Sequence, residues 1–284
     1  MTDISADKVK ELREKTGAGI MDCKRALAAS GGDLAQAIDF LRKEGVVKAA
    51  KKAGRATLEG LVAIGQSPDR RSASLVEVNC ETDFVARTDQ FQEFLSSVSE
   101  LIVQKKPKDL NGLLALPFGG SSLQEALSQL IARIGENMAI RRFRLIGGDP
   151  GDQIGAYIHA GSKIGAVVRV RGNNLPEGIS REIAMHVAAM TPHYVDRKEV
   201  PPRVVEREKE IARSSPEVAG KPEHLLDRIL EGKLNRYFGE VCLVEQPFIK
   251  DPTGKKTVGA YLQEKAPGAA VAEMVRFQVG EEAS

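Results

Sequence analysis

Tryptophan is absent from this chain and aromatic residues make up only 5% of it, which argues against a platform on which nucleic-acid bases stack. Charge of one sign is lacking too. Lys and Arg number 41 against 39 Asp and Glu, a net charge of +2, so no global field draws DNA, RNA or an acidic membrane. No apolar run approaches the roughly 20 residues that span a bilayer. The three cysteines, Cys23, Cys80 and Cys242, are odd in number and far apart. They read as reduced, mostly buried thiols of a cytosolic protein, not as a disulfide frame or a zinc site. The first residues, Met1-Thr2-Asp3-Ile4-Ser5-Ala6-Asp7, are acidic and lead straight into a helix, so no secretory or transit peptide is expected.

Chemical motifs are missing as well. No phosphate-binding loop, dinucleotide fingerprint, His-Glu-x-x-His or nucleophile elbow occurs. Gly254-Lys255-Lys256-Thr257 lacks the earlier glycine and follows Asp251-Pro252, so it reads as a turn. His159, His186, His193 and His224 show no ligand spacing; His186 falls on a helix stripe and reads as packed, whereas His159 beside a glycine turn reads as exposed. An enzyme of this size normally leaves one recognisable acid-base or nucleophile cluster. No such cluster stands in the sequence, so neither an enzyme nor a cofactor or metal is expected, although catalytic residues gathered only by folding would leave no such mark.

What is present is an ordinary globular composition, 42% hydrophobic and 28% charged over 284 residues, enough for a real core and two or more units. Ser5 caps a first helix, broken at Thr16-Gly17-Ala18-Gly19. Ile20 to Ala29 forms a second, with Cys23, Ala26 and Leu27 at helical spacing. Asp33 caps a third, with Leu34, Ala37, Ile38 and Leu41 inward and Gly45 as its stop. Three short helices of this kind usually bind proteins. Arg13, Met21, Lys24 and Arg25 are their surface candidates, although each reads first as a solvated side chain. The basic run Val47 to Arg55 reads as a helical linker, with a boundary near Gly54.

From Gly60 the period becomes alternating. Leu61 to Ile64 and Ala73 to Val78 read as a hairpin, followed by a helix with Phe91, Phe94, Leu95, Val98, Leu101 and Ile102 on one stripe. A further helix opens with the capping box Ser122-Leu123-Gln124-Glu125, and Ile140 to Ile146 returns to strand. The order then repeats: a hairpin of Ile154 to His159 and Ile164 to Val170, a helix from Ile179 to Met190, and a strand, Val271 to Val279, which resembles Asn137 to Leu145. Two related α+β halves are expected, each an antiparallel sheet with helices on one face. A charged helical hairpin interrupts the second half. It begins at Pro201-Pro202, turns between Pro216 and Pro222, and carries an apolar stripe of Leu225, Leu226, Ile229 and Leu230. The expected divisions are 1–54, 55–146, 147–190 with 234–284, and the insertion 191–233.

The stretch Asn79-Cys80-Glu81-Thr82-Asp83-Phe84-Val85-Ala86-Arg87 sits between a strand and a helix, where a scaffold presents residues to partners. An acid and a large ring side by side could act as a wedge. Alternatively, Thr82 or Asp83 caps the next helix and Phe84 plugs the core beneath it. Taken alone, these nine residues favour capping and packing, the usual work of such side chains.

Several long stretches, in order, resemble signatures of the bacterial translation elongation factor Ts family: Lys10 to Lys24, Val78 to Ala86, Ile134-Gly135-Glu136-Asn137, Ile183 to Ala189, and Gln246-Pro247-Phe248. The resemblance covers nearly the whole chain. It implies an α+β fold with an N-terminal three-helix bundle like that of ubiquitin-associated (UBA-like) domains, two similar antiparallel-sheet-plus-helix subdomains and an inserted helical hairpin. It implies a guanine nucleotide exchange factor that meets the GTPase elongation factor Tu in its GDP-bound and nucleotide-free forms, binding no nucleotide itself. Thr82, Asp83, Phe84 and Val85 match the stretch associated with dislodging Mg²⁺ from that partner. Arg13, Met21 and Lys24 match positions expected to face the partner's nucleotide-binding domain, and His159 matches a histidine expected to meet a distal domain. A cytoplasmic location follows, without nucleic acid or membrane as partners; a homodimer or a 2:2 complex stays open. Two rival expectations stand beside it: a binding module of the translation machinery with no exchange activity, and an enzyme whose residues come together only on folding.

Overall fold

The computed structural model describes residues 4–215 and 222–281. Helix α1 (Ala6–Thr16) starts under the Ser5 side chain, which accepts from the Lys8 amide, and ends at Gly17 in the left-handed region. Helix α2 (Ile20–Ala29) follows. Asp33 caps α3 (Leu34–Ala50) by accepting from the Gln36 amide. Leu12, Cys23, Ala26, Leu27 and Ala37 close the small core among them.

Gly45 does not stop α3. It lies buried inside the helix, which runs on to Ala50. A Cβ at position 45 would stand 3.7 Å from the Gln129 Cα and 3.8 Å from the Ala132 Cβ, so the missing side chain brings α3 close to a helix of the next unit. The cationic stretch after it is partly tethered: Lys48 pairs with Asp22 at 2.9 Å, and the Lys52 ammonium donates to the Gly135 carbonyl.

The first core half begins with β1 (Glu59–Gln66) and β2 (Ser72–Cys80), antiparallel as the alternation predicts. Then come α4 (Asp83–Ala86), α5 (Asp89–Lys105) and α6 (Leu110–Leu114). A two-residue ladder joins β3 (Pro117–Phe118) to β4 (Ser121–Ser122). Helix α7 (Leu123–Ile134) opens with the expected capping box, and β5 (Met138–Gly147) completes a three-stranded sheet in the order β1-β2-β5. The stripe of α5 is buried as expected, against Val76, Val78 and the inward face of α7.

The second half repeats the plan. Strands β6 (Gln153–Ile158) and β7 (Ile164–Arg171) form a hairpin, helix α8 (Ile179–Met190) covers it, and after the insertion come α11 (Val258–Lys265) and β8 (Ala270–Gln278), giving the order β6-β7-β8. Each sheet carries a β-bulge at its second junction, at Glu77/Val78 and at Arg169/Val170. The bulges fix the internal equivalence: Val78 opposes Ile140 and Val170 opposes Val271, so Ile140 corresponds to Val271 and not to Met274, as the resemblance of the strand sequences suggests. An ion pair sits beside each bulge with its signs exchanged, Glu77 with Arg142 and Arg169 with Glu273.

The two sheets pack face to face through Val62, Leu75, Ile146, Ile154, Val167 and Phe277, so helices, sheet, sheet and helices are layered in turn. Strand β2 is buried along its whole length, one face toward its helices and the other toward the partner sheet. Gly165 makes the contact possible, since a Cβ there would stand 2.8 Å from the Leu75 Cδ1. The lobes are also tied by main chain: Val62 N–H donates to the Ser162 carbonyl at 2.8 Å.

The insertion holds α9 (Pro202–Arg213) and α10 (Glu223–Val241), which runs unbroken through position 234. Val200, Phe238 and Cys242, with Tyr194, Val204 and Leu234, give the arm its own small core. Of its expected apolar stripe, Leu230 is buried and Leu226 and Ile229 are half-buried. The Pro216 side of the expected turn, and the side chains of His224 and Leu225, lie outside the described residues. His186 is packed, as its stripe suggests: its Nδ1 accepts from the Ile249 amide at 3.1 Å, and its Nε2 faces the Gln246 Oε1 at 2.9 Å.

Candidate functional site

Strand β2 ends at Cys80, whose buried thiol donates to the Thr82 carbonyl at 3.1 Å. Burial pushes that thiol up to about 11, so it stays protonated and keeps its donor. Glu81 turns outward and accepts from the Asn137 amide and from Arg55. Those contacts, the Asn137 amide first, hold its carboxyl below the ordinary range.

Thr82 is extended, at φ −126° and ψ 155°, and its Oγ1 accepts from the Val85 amide at 3.4 Å, capping α4. The same hydroxyl donates to Glu136 Oε1 at 2.8 Å, and the Thr82 amide donates to Glu136 Oε2 at 3.0 Å. A second cap follows at once. Thr88 Oγ1 donates to the Val85 carbonyl at 2.7 Å and accepts from the Phe91 amide, opening α5. One helical turn is thus fixed at both ends.

Within that turn the side chains part company. Val85 and Ala86 are buried in the first core, whereas Phe84 is 77% exposed. The plug reading is overturned for Phe84 and upheld for Thr82: the threonine caps, and the ring faces solvent because the two residues after it fill the space beneath. Asp83 pairs with Arg87 at 2.7 Å on the surface.

A cavity of about 630 Å³ runs alongside, lined by Asp83, Arg87 and Gln92 on one side and Gly161, Ser162 and Lys163 of the second hairpin on the other. His159 is exposed at the start of that hairpin turn, with its Nδ1 3.2 Å from the Tyr157 hydroxyl. Of the Thr82 to Val85 stretch, Asp83 alone lines this groove, and His159 lies outside its lining, two positions before Gly161. Arg13, Met21 and Lys24 lie apart from it, on the bundle. All three are exposed, and Met21, 72% exposed, stands beside Ile20 at the start of α2.

Sequence reasoning assigned no role to Glu136, Glu81 or Asn137, although the first and last stand in the Ile134 to Asn137 stretch. Among the described residues, no group of three or more His, Cys, Asp or Glu is placed to hold a metal, and no helix is long and apolar enough to cross a membrane.

A profile of the family described as Elongation factor TS matches residues 81–281, starting at the turn just described. The chain belongs to the elongation factor Ts family. Its role is therefore in translation elongation. The elongation factor Ts of Alkalilimnicola ehrlichii is 44% identical over 278 residues, covering 98% of this chain and 92% of that protein. That of Thioalkalivibrio sulfidiphilus is 42% identical with the same coverage, and that of Syntrophotalea carbinolica is 45% identical over 286 residues, covering 98% and 93%. The likeness to elongation factor Ts thus includes the bundle, which precedes the matched profile.

Proposed function

We propose that this family member is a guanine nucleotide exchange factor for elongation factor Tu and that Phe84 is its working prong. The observation that carries the reading is a large apolar ring standing in water on a turn whose neighbours are locked into the core. Burying such a side chain in a partner is worth about 1.5–3 kcal/mol. A surface ion pair like Asp83–Arg87 is worth only about 0.3–0.5 kcal/mol. The ring therefore supplies most of the drive at this turn, and Asp83 adjusts polar contacts around it.

Mg²⁺ in a GTPase bridges nucleotide phosphates and protein oxygens, and tolerates little departure from octahedral distances of about 2.0–2.1 Å. Phe84 entering between elements of the partner displaces those oxygens and weakens GDP. By reciprocity, GDP weakens the factor's binding in the same ratio, so the complex is transient while nucleotide is plentiful. A factor that held the GDP-bound and empty forms equally well would exchange nothing.

In this reading Arg13, Met21 and Lys24 grip the partner's nucleotide-binding domain and His159 a further domain. Residues 1–54, 55–146, 147–190 with 234–284, and 191–233 act as bundle, two core units and arm, and the protein works in the cytoplasm. The test is GDP release from purified elongation factor Tu loaded with a fluorescent GDP analogue. Release that accelerates with added chain supports exchange; binding without acceleration leaves only a non-exchanging module.

A further inference from the structure

The prong's footing is set by a residue far from it in the chain. Glu136 spends both carboxylate oxygens on Thr82, one on the amide at 3.0 Å and one on the hydroxyl at 2.8 Å. A hydroxyl has one hydrogen. Because that hydrogen is committed to Glu136, a lone pair of Thr82 Oγ1 faces the Val85 amide. The carboxylate thus decides how α4 starts and where Phe84, at its second position, projects.

Glu136 is itself held from two sides. It follows Gly135, the left-handed residue that ends α7. The Lys52 ammonium donates to the Gly135 carbonyl, and the Asn137 side-chain amide donates to the Arg55 carbonyl at 2.8 Å. Helix α7 also packs on α3 at Gly45. The three-residue loop therefore joins the bundle, the end of α7 and the prong.

Resting on the exchange reading above, we infer that Glu136 is a positioning residue for Phe84: its carboxylate fixes the Thr82 cap and so transmits the seat of the bundle to the prong. Glu136→Gln keeps the shape but puts an NH2 donor where one of the two acceptor oxygens stood, so the two-point acceptance from the Thr82 amide and hydroxyl is lost. Loss of one charge-assisted hydrogen bond is enough for about a tenfold effect.

The experiment measures GDP release from elongation factor Tu by stopped flow, as a function of factor concentration. Glu136→Gln lowers the maximal rate about tenfold, while the half-saturating concentration changes less than about twofold. Thr82→Val, which removes the hydroxyl that Glu136 accepts from, lowers the maximal rate likewise, and Thr82→Ser, which keeps that hydroxyl, loses clearly less than Thr82→Val. Added to Phe84→Ala, Glu136→Gln costs nothing more. A parental maximal rate for Glu136→Gln and Thr82→Val, with Phe84→Ala still slow, overturns this inference and leaves the exchange reading standing. An equal loss in the Phe84→Ala background also overturns it, since Glu136 would then act on the fold generally. A parental rate for Phe84→Ala itself defeats the exchange reading and this inference with it. Should Glu136→Gln melt early, the Thr82→Val and Thr82→Ser pair decides alone.

Discussion

Phe84 is 77% exposed and Val85, the next residue, is 8% exposed. Adjacent residues of one helical turn thus serve as an anchor and as a ring offered to solvent. Their costs on removal differ accordingly. Val85→Ala gives up buried methyl groups and lowers stability by about 1–2 kcal/mol. Phe84→Ala changes it by no more than about 0.5 kcal/mol, as for an ordinary surface site. Urea unfolding of both variants checks this; a large loss for Phe84→Ala means that the ring serves the fold.

Gly45 gives a prediction of opposite sign. Its place in α3 leaves ordinary contact distance for one methyl, 3.7 Å to the Gln129 Cα. Alanine removes the entropy cost of a helical glycine, so Gly45→Ala stabilises the protein by up to about 1 kcal/mol. A branched side chain has no room: Gly45→Leu forces α3 off α7 at a cost of about 1–3 kcal/mol. Thermal unfolding of the two variants should bracket the parent.

His186 makes stability pH-dependent. Burial holds its pKa below the ordinary 6.5, against a smaller opposing effect of the Gln246 hydrogen bond. The unfolded chain therefore takes up this proton at higher pH than the folded protein does. As pH falls through about 6.5 the unfolded state binds more protons, and stability declines until the folded value is passed. Above that range the ring is neutral in both states and contributes no slope. Denaturant titrations at about pH 7.5 and about pH 5.5 should show a smaller drop for His186→Asn than for the parent, and an equal drop would contradict the assignment.

Glu77 is fully buried between strands, 2.7 Å from Arg142 and 3.5 Å from Arg141, and it also accepts from the Asn79 side chain. Breaking a buried pair by removing one partner costs about 3 kcal/mol or more. Glu77→Leu should therefore unfold at clearly lower urea, whereas Arg144→Leu, whose exposed pair with Glu273 spans 3.3 Å, should shift the midpoint little.

Helix-scale features were legible because periodicity and punctuation agree there. Ile20–Ala29 and Ile179–Met190 are bounded as their stripes and turn residues indicate. Gly45 was misread because a glycine late in a helix looks the same whether it ends the helix or lets another approach. Helix α6 and the two-residue ladder are too short to show a period. The internal repeat was visible, but its strand alignment slipped, because a bulge leaves no mark in the residue pattern. At the site, Thr82 announced itself as a cap. Phe84 did not announce its exposure: its neighbours favoured packing, and only the resemblance to a family pointed outward. Glu136 stayed hidden because its partner lies 54 positions away, a distance only folding closes.

The most direct measurement is stopped-flow release of a fluorescent GDP analogue from elongation factor Tu, driven by the parent chain and by Phe84→Ala at equal, saturating concentrations. Loss of an interfacial aromatic anchor commonly costs about 2 kcal/mol or more. Release driven by the Phe84→Ala variant should therefore be slower by roughly thirtyfold, with the melting temperature unchanged. Release at the parental rate by a folded Phe84→Ala protein would contradict the account.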